Sequence, residues 1–251
     1  MKNIFATLLL AQACVTMATP ACAAEVHVAV ASNFSAPMKE IAAAFEKKSG
    51  HKTILAFGAT GKFYAQVRNG APYGLLVSAD AATPARLVSE GLAVPGTAFT
   101  YATGRLVLWS AQSSFVDGQG AVLRNGAFAH LAIANPRTAP YGAAAVGALE
   151  KLRLLGGLKN KLVQGENIAQ TYQFVKTGNA ALGFVAMSDV YRGGKFVGGS
   201  AWVVPADLHA PIRQDAVVLA RGASNPAARE LAAYLQSDEV RQIIRFYGYE
   251  R

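Results

Sequence analysis

Val26-His27-Val28-Ala29-Val30-Ala31 runs straight into Ser32-Asn33-Phe34-Ser35, and an amphipathic helix follows from about Pro37. The first six residues read as a buried strand. Met38, Ile41, Ala42 and Phe45 then recur at i, i+3, i+4 and i+7, on one helical face. Between the two lie a hydroxyl and an amide at a helix N-terminus. Backbone N–H groups there have no intrahelical acceptor, and the end of the helix carries partial positive charge. Ser32 and Asn33 can therefore share a bound anion with the backbone.

The same alternation continues outward. Residues 53–57 read as a strand, Gly58-Ala59-Thr60-Gly61 as a turn and 63–69 as a short helix, with a strand at 75–78 and a helix at 84–90. After Tyr101-Ala102-Thr103-Gly104, residues 105–110 form a candidate strand that leaves the first unit. Strand 130–134, helix 141–155, segment 161–164, helix 168–177 and strand 181–186 build a second unit. Residues 202–205 and 215–220 read as the return path. Asn225-Pro226 opens a helix to Gln236, and Ser237 caps the last helix, with Asp238 and Glu239 in its first turn. Strand–helix–strand repetition predicts an α/β chain, each half a mostly parallel sheet flanked by helices. A chain that leaves one lobe, builds a second and returns makes a hinged pair with a cleft between. The predicted division is 25–104 with 206–251 as lobe I and 105–205 as lobe II.

Upstream, Lys2, an apolar run at 4–13 and Ala21-Cys22-Ala23 match an export signal, predicted over residues 1–24 and cleaved. The apolar run is shorter than the ~20 residues a membrane span requires. Both cysteines, Cys14 and Cys22, fall in this leader, so a mature periplasmic product has no thiol or disulfide. Apolar residues make up 52% of the chain and charged ones 16%, enough to bury two lobes. The net charge of +9 raises the question of nucleic acid. The basic residues are scattered, without runs interleaved with aromatics, and the prediction is no nucleic-acid partner.

Ligands of open α/β sheets sit outside the carboxyl ends of strands. Four junctions have that position here: Ser32-Asn33, Ala59-Thr60-Gly61, Pro140-Tyr141-Gly142 and Asn167-Ile168-Ala169, two in each predicted lobe. Facing one another, they offer the hydroxyls of Ser32 and Thr60, the Asn33 amide and backbone N–H groups of Ser32, Thr60, Tyr141 and Ile168. A set made of donors suits a fully deprotonated tetrahedral dianion, whereas protonated phosphate also needs an acceptor for its O–H. Each hydrogen bond to charged oxygen contributes roughly 1.5 to 3 kcal/mol, so neutral donors suffice without an arginine. Any one of these hydroxyls taken alone is as well explained by helix capping. The fourfold repetition distinguishes the pattern.

Ala31-Ser32-Asn33-Phe34, Gly58-Ala59-Thr60-Gly61, Asn69-Gly70-Ala71-Pro72, Ser78-Ala79-Asp80, Asn135-Pro136 with Ala139-Pro140-Tyr141-Gly142, Leu182-Gly183-Phe184-Val185 and the terminal Arg245-Phe246-Tyr247-Gly248-Tyr249 together resemble the periplasmic molybdate-binding proteins of ABC importers. The resemblance implies a two-lobed periplasmic binding-protein fold that closes on molybdate or tungstate and delivers it to a membrane permease. It places the family's hydroxyl ligands on Ser32 and Thr60 and its backbone donors on Tyr141 and Ile168. It implies no cofactor, molybdenum held only as molybdate with no direct metal-ion ligand, and a monomer. Many members carry a tyrosine ligand where this chain has Ala186. A branch has asparagine after the first hydroxyl, so the side-chain amide of Asn33 is expected to replace that phenol.

An enzyme is the weaker reading. The chain has no G-x-S-x-G elbow, and His27, His51, His130 and His209 lack metal-ligand spacing. Gly58-Ala59-Thr60-Gly61-Lys62-Phe63 fails the phosphate-loop pattern in both glycine spacing and the residue after lysine. A DNA-binding regulator would need a reading helix pair where the leader stands. The serious competitor is a binder of sulfate or another small tetrahedral oxyanion.

Overall fold

The computed structural model describes residues 23–250. The predicted leader, with Cys14 and Cys22, lies outside the described residues except for its last two positions. In chain order the first unit holds β1 (Glu25–Ala31), α1 (Ser35–Ser49), β2 (Lys52–Gly58), α2 (Thr60–Arg68), β3 (Leu75–Val77), α3 (Ala82–Ser89) and β4 (Phe99–Gly104). The second holds β5 (Leu106–Ser110), α4 (Val122–Asn125), β6 (Leu131–Ala134), α5 (Pro140–Lys151), α6 (Leu155–Leu158), β7 (Leu162–Gly165), α7 (Ile168–Lys176) and β8 (Leu182–Ala186). It continues with α8 (Met187–Val190), the hairpin β9 (Tyr191–Arg192) and β10 (Lys195–Phe196), and β11 (Ser200–Val203). The chain returns through β12 (Ile212–Val218), α9 (Pro226–Tyr234) and α10 (Asp238–Phe246).

Two five-stranded sheets result, ordered β2-β1-β3-β12-β4 and β11-β5-β8-β6-β7. Each is mixed rather than mostly parallel. Strands joined through helices, β1 with β2 and β3, and β6 with β7 and β8, pair parallel. Every antiparallel pairing in these two sheets involves β5 or β12. Those two strands directly follow the segments that pass between sheets. No crossover helix turns them round, so they enter against the grain of their neighbours.

Helices cover both faces of each sheet, and the strand sequences show why. Val26, Val28 and Val30 of β1 point to one side, into a core with Phe34, Met38 and Ile41 of the first loop and α1 and Leu231 of α9. Ala29 points to the other, against Phe63, Leu76 and Leu87. In sheet two, Leu131 and Ile133 of β6 pack on the α5 side with Ala145 and Leu149, while Ala132 packs with Val175 of α7. Strands buried on both faces carry apolar residues at nearly every position, as β1, β5 and β6 do. The expected cap of the last helix is present, Val240 donating its N–H to Ser237 Oγ at 3.3 Å.

Three elements differ from expectation. Residues 99–104, given no element in the sequence reading, are the edge strand β4 of sheet one, paired with β12. Trp202, read as part of the return path, belongs to β11 and pairs opposite Leu108 in sheet two, where its indole joins the main core. The helix expected to reach residue 155 stops at Lys151, because Arg153 takes a left-handed conformation (φ 59°) that no helix continues through.

The chain crosses between sheets at Arg105 and again between β11 and β12. Gly104, at the first crossing, has no room for a side chain: a Cβ there would stand 2.1 Å from Tyr141 Oη and 2.4 Å from Gln214 Nε2. The second unit reaches the first by that close approach.

Candidate ligand site between the lobes

The parallel ladders decide which junctions meet. Ala31 and Gly58 are register partners at the ends of β1 and β2, so Ser32, opening a 3-10 turn, and Thr60, opening α2, emerge side by side. Ala134 and Gly165 are partners at the ends of β6 and β7, which sets Tyr141 at the start of α5 beside Ile168 at the start of α7. The two pairs face each other. Ser32, Asn33, Thr60, Tyr141 and Ile168 all border one small, closed-down cavity of about 10 Å³, with Ala59, Ala79 and Pro140 filling its walls. A wider groove of about 770 Å³ shares Ala79, Ala139 and Pro140 with it and carries Arg86, Arg137 and Arg213 beside Asp80, a net basic approach to the cavity.

The two hydroxyls are not helix caps. Neither side chain makes a capping hydrogen bond to the helix it opens, whereas Asn167, Asn225 and Ser237 do cap theirs. Thr60 Oγ1 accepts the Ala79 N–H at 3.0 Å, which leaves its own proton to donate elsewhere. Ser32 is buried, and its Oγ hydrogen-bonds no protein group among the described residues. The N–H groups of Thr60, Tyr141 and Ile168 lie in first turns, where no intrahelical acceptor exists, and reach no carbonyl elsewhere.

No Asp or Glu is among the residues lining the cavity. Asp80, next along the chain from Ala79, is engaged by the Thr83 N–H at 2.7 Å. Glu166 points to the exposed rim and pairs with Lys62, joining α2 to the loop before α7. Such an exposed pair contributes at most about 1 kcal/mol. A second cross-cleft bond runs from Gly61 N–H to the Thr138 carbonyl at 2.9 Å. Among the described residues no group of three or more His, Cys, Asp or Glu side chains is placed to hold a metal ion, and no helix is long and apolar enough to cross a membrane.

Asn33 departs from expectation. Its amide nitrogen turns away from the cavity and donates to Gln214 Oε1 at 2.8 Å and Tyr249 Oη at 2.9 Å, with both partners buried. The Asn33 carbonyl in turn accepts from Ser188 Oγ at 2.7 Å and Tyr249 Oη at 2.8 Å. A buried amide must satisfy its donors, and this layer supplies acceptors. Gln214, Tyr101, Tyr249 and Ser188 were not singled out in the sequence. Gln214 alternates along β12 with Ile212, Ala216 and Val218, a spacing that marks it as inward-facing without naming its partners.

Burial raises the phenols of Tyr101, Tyr141 and Tyr249 above their ordinary range, so all three stay neutral hydrogen-bonding groups. Burial also pushes the Asp189 carboxyl up to about 8, against the pull of Arg192. One of its oxygens, Oδ2, is buried without a partner, and Arg192 is engaged by the Ser188 and Tyr191 carbonyls. A carboxyl whose pKa is raised on folding stabilises the protein below its unfolded value, near 3.8, and that stabilisation is lost as pH rises through about 8. Asp189→Asn is therefore expected to gain stability over wild type progressively as pH rises from about 4 to 8. Melting temperatures of both proteins across that range check it. A constant difference would show that Asp189 titrates normally.

The profile of the bacterial extracellular solute-binding protein family matches residues 26–250. The molybdate-binding protein ModA of Azotobacter vinelandii is 59% identical over 93% of this chain and 92% of that protein. Its namesake from Rhodobacter capsulatus is 52% identical over 93% and 91%. The solved structure of an Azotobacter vinelandii periplasmic molybdate-binding protein superposes with a TM-score of 0.87 at 38% identity, covering 90% of this chain and 99% of that one. The two lobes are those of a periplasmic binding protein, and the matching family is one of solute-binding proteins rather than enzymes. The chain belongs to the family of bacterial extracellular solute-binding proteins that includes the molybdate-binding protein ModA of Azotobacter vinelandii.

Proposed function

We propose that this protein captures molybdate, and tungstate with it, in the periplasm and hands it to the membrane permease of an ABC importer. The observation that carries the reading is the chemistry of the cavity. Free hydroxyl protons and orphan N–H groups converge on it from both lobes, and no carboxylate lines it. Ser32, Asn33, Thr60, Tyr141 and Ile168 are the proposed ligand residues. Burying a dianion removes it from water, and preoriented neutral dipoles replace that hydration without a counter-charge. The names of the relatives at 59% and 52% identity point to the same anion.

In this reading residues 25–104 with 206–251 and residues 105–205 move as two bodies about the crossings, as a monomer released by cleavage of the leader. Hinge closure brings the junction pairs together around the ligand. The rim contacts Lys62–Glu166 and Gly61–Thr138 then hold the closed form. Selection against sulfate rests on size, because metal–oxygen bonds are longer than sulfur–oxygen bonds and a fixed ring of donors does not shrink to fit.

A thermal-shift panel of molybdate, tungstate, sulfate, phosphate and chromate on the mature protein tests this. A ligand at about 1,000 times its Kd adds about 4 kcal/mol to the folded state, a rise on the order of 10 °C for a chain this long. The expected result is that rise with molybdate and tungstate only. A shift with sulfate and none with molybdate would move the assignment to the sulfate-type alternative.

A further inference from the structure

Behind the cavity, and outside its lining, lies a buried polar chain that ties the lobes together. Gln214 of β12 and Tyr101 of β4 are 0% exposed, and Ser188 and Tyr249 are nearly so. Gln214 Nε2 donates to Tyr141 Oη at 3.2 Å, reaching across to α5 of the other lobe. Gln214 Oε1 accepts from Asn33 Nδ2 at 2.8 Å and lies 2.9 Å from Tyr101 Oη, which is also 2.8 Å from the Ser78 carbonyl. Tyr101 has one proton for those two acceptors. With Asn33 Nδ2 engaged inward, the remaining polar atom of its carboxamide is Oδ1, which has no protein partner. An acceptor on the wall of an otherwise donor-lined cavity opposes an anion.

The two ends of a carboxamide have the same shape, so the same cage accepts the opposite polarity in both amides at once. Reversed, Gln214 Nε2 donates to Asn33 Oδ1 and to Tyr101 Oη, whose proton goes to the Ser78 carbonyl. Tyr141 Oη donates to Gln214 Oε1, Tyr249 Oη donates to Asn33 Oδ1, and Ser188 Oγ keeps its bond to the Asn33 carbonyl. The number of hydrogen bonds is kept, Tyr249 Oη exchanging the Asn33 carbonyl for Asn33 Oδ1 as its acceptor, and Asn33 Nδ2 is released to the cavity with both protons. The two amides must turn together, since reversing one alone sets like ends against each other.

We infer that Gln214 is a positioning residue that sets which end of the Asn33 carboxamide meets the ligand, and that an oxyanion in the cavity selects the polarity in which Gln214 donates to Asn33 Oδ1. This rests on the oxyanion reading above. It makes binding in the cavity a change in the bond between Gln214 and Tyr141, so the state of the site is sensed at an inter-lobe contact.

The test is a double-mutant cycle on the mature protein, reading molybdate affinity by calorimetry for wild type, Asn33→Ala, Gln214→Glu, Gln214→Met and both combinations with Asn33→Ala, each with its melting curve. Gln214→Glu keeps the shape and, measured at a pH of about 9 where even a buried carboxyl is ionised, can only accept, so it holds Asn33 Nδ2 inward. Its affinity is expected to fall roughly 30-fold, and that of Gln214→Met, which neither donates nor accepts strongly, by about fivefold. In the Asn33→Ala background both losses shrink to about twofold or less, because there is no amide left to orient. A general distortion of the site would persist in that background. Should Gln214→Glu fail to fold, Gln214→Met carries the same cycle. Wild-type affinity in the Gln214 variants, no effect of Asn33→Ala, or losses undiminished in its background each overturns the inference while leaving molybdate capture standing. A wild-type protein that binds no molybdate overturns both.

Discussion

The double variant Ser32→Ala/Thr60→Ala is expected to lose molybdate affinity by two to four orders of magnitude, roughly 3 to 6 kcal/mol. Each hydroxyl contributes a bond to charged oxygen worth roughly 1.5 to 3 kcal/mol, and each single variant shows that much alone. The two bonds share one ligand, so the sum departs from additivity by the energy of their coupling. Stability separates the pair. Ser32 Oγ serves no protein group, so Ser32→Ala melts as wild type does. Thr60→Ala strands the buried Ala79 N–H, at a cost of about 1 to 3 kcal/mol, and melts several degrees lower while still folding. Thr60→Ser restores both the affinity and the melting temperature. Calorimetry on the four variants is the measurement, and wild-type affinity in both single alanine variants would remove these residues from the site.

The positions of these hydroxyls were legible in the sequence because local signals fix them. Alternating valines define β1, the apolar face from Met38 to Phe45 defines α1, and a residue between them has nowhere to be but the carboxyl edge of the sheet. Parallel register then places the ends of adjacent strands together without further information. What stayed hidden depends on pairings remote in the chain. Gln214 meets Asn33 across 181 positions and Tyr101 across 113, and nothing around residue 214 announces either contact. The antiparallel members of the sheets are hidden for the same reason. The strand–helix alternation predicts parallel neighbours, and β5 and β12 escape it because their sense is set by the crossings. Trp202 reads as part of the return path until its indole finds the core of sheet two. The direction of the Asn33 amide could not be read at all, since an asparagine presents either end with equal shape.

Gly142→Ala is expected to damage both folding and binding, and its neighbour in the same helix provides the control. A Cβ at position 142 would stand 2.2 Å from the Ala134 carbonyl oxygen, 2.7 Å from its carbon and 2.9 Å from the Asn135 carbonyl carbon. All three are backbone atoms, so no side-chain rotation relieves the clash, and the first turn of α5 must withdraw from the end of β6. Overpacking of this kind destabilises by about 1 to 3 kcal/mol or more, exceeding the ~0.5–1 kcal/mol gained by replacing a helical glycine with alanine. Withdrawal carries the Tyr141 N–H away from the cavity, and hydrogen bonds weaken steeply with distance and angle. Molybdate affinity should therefore fall on the order of 10- to 100-fold. Gly147 lies on the same helix with nothing within 4 Å of an added Cβ, so Gly147→Ala should bind as wild type and melt slightly higher. Melting curves and calorimetry on both variants test the argument. If Gly142→Ala binds and melts as Gly147→Ala does, the start of α5 is free to shift, and the placement of the Tyr141 N–H is not what the affinity depends on.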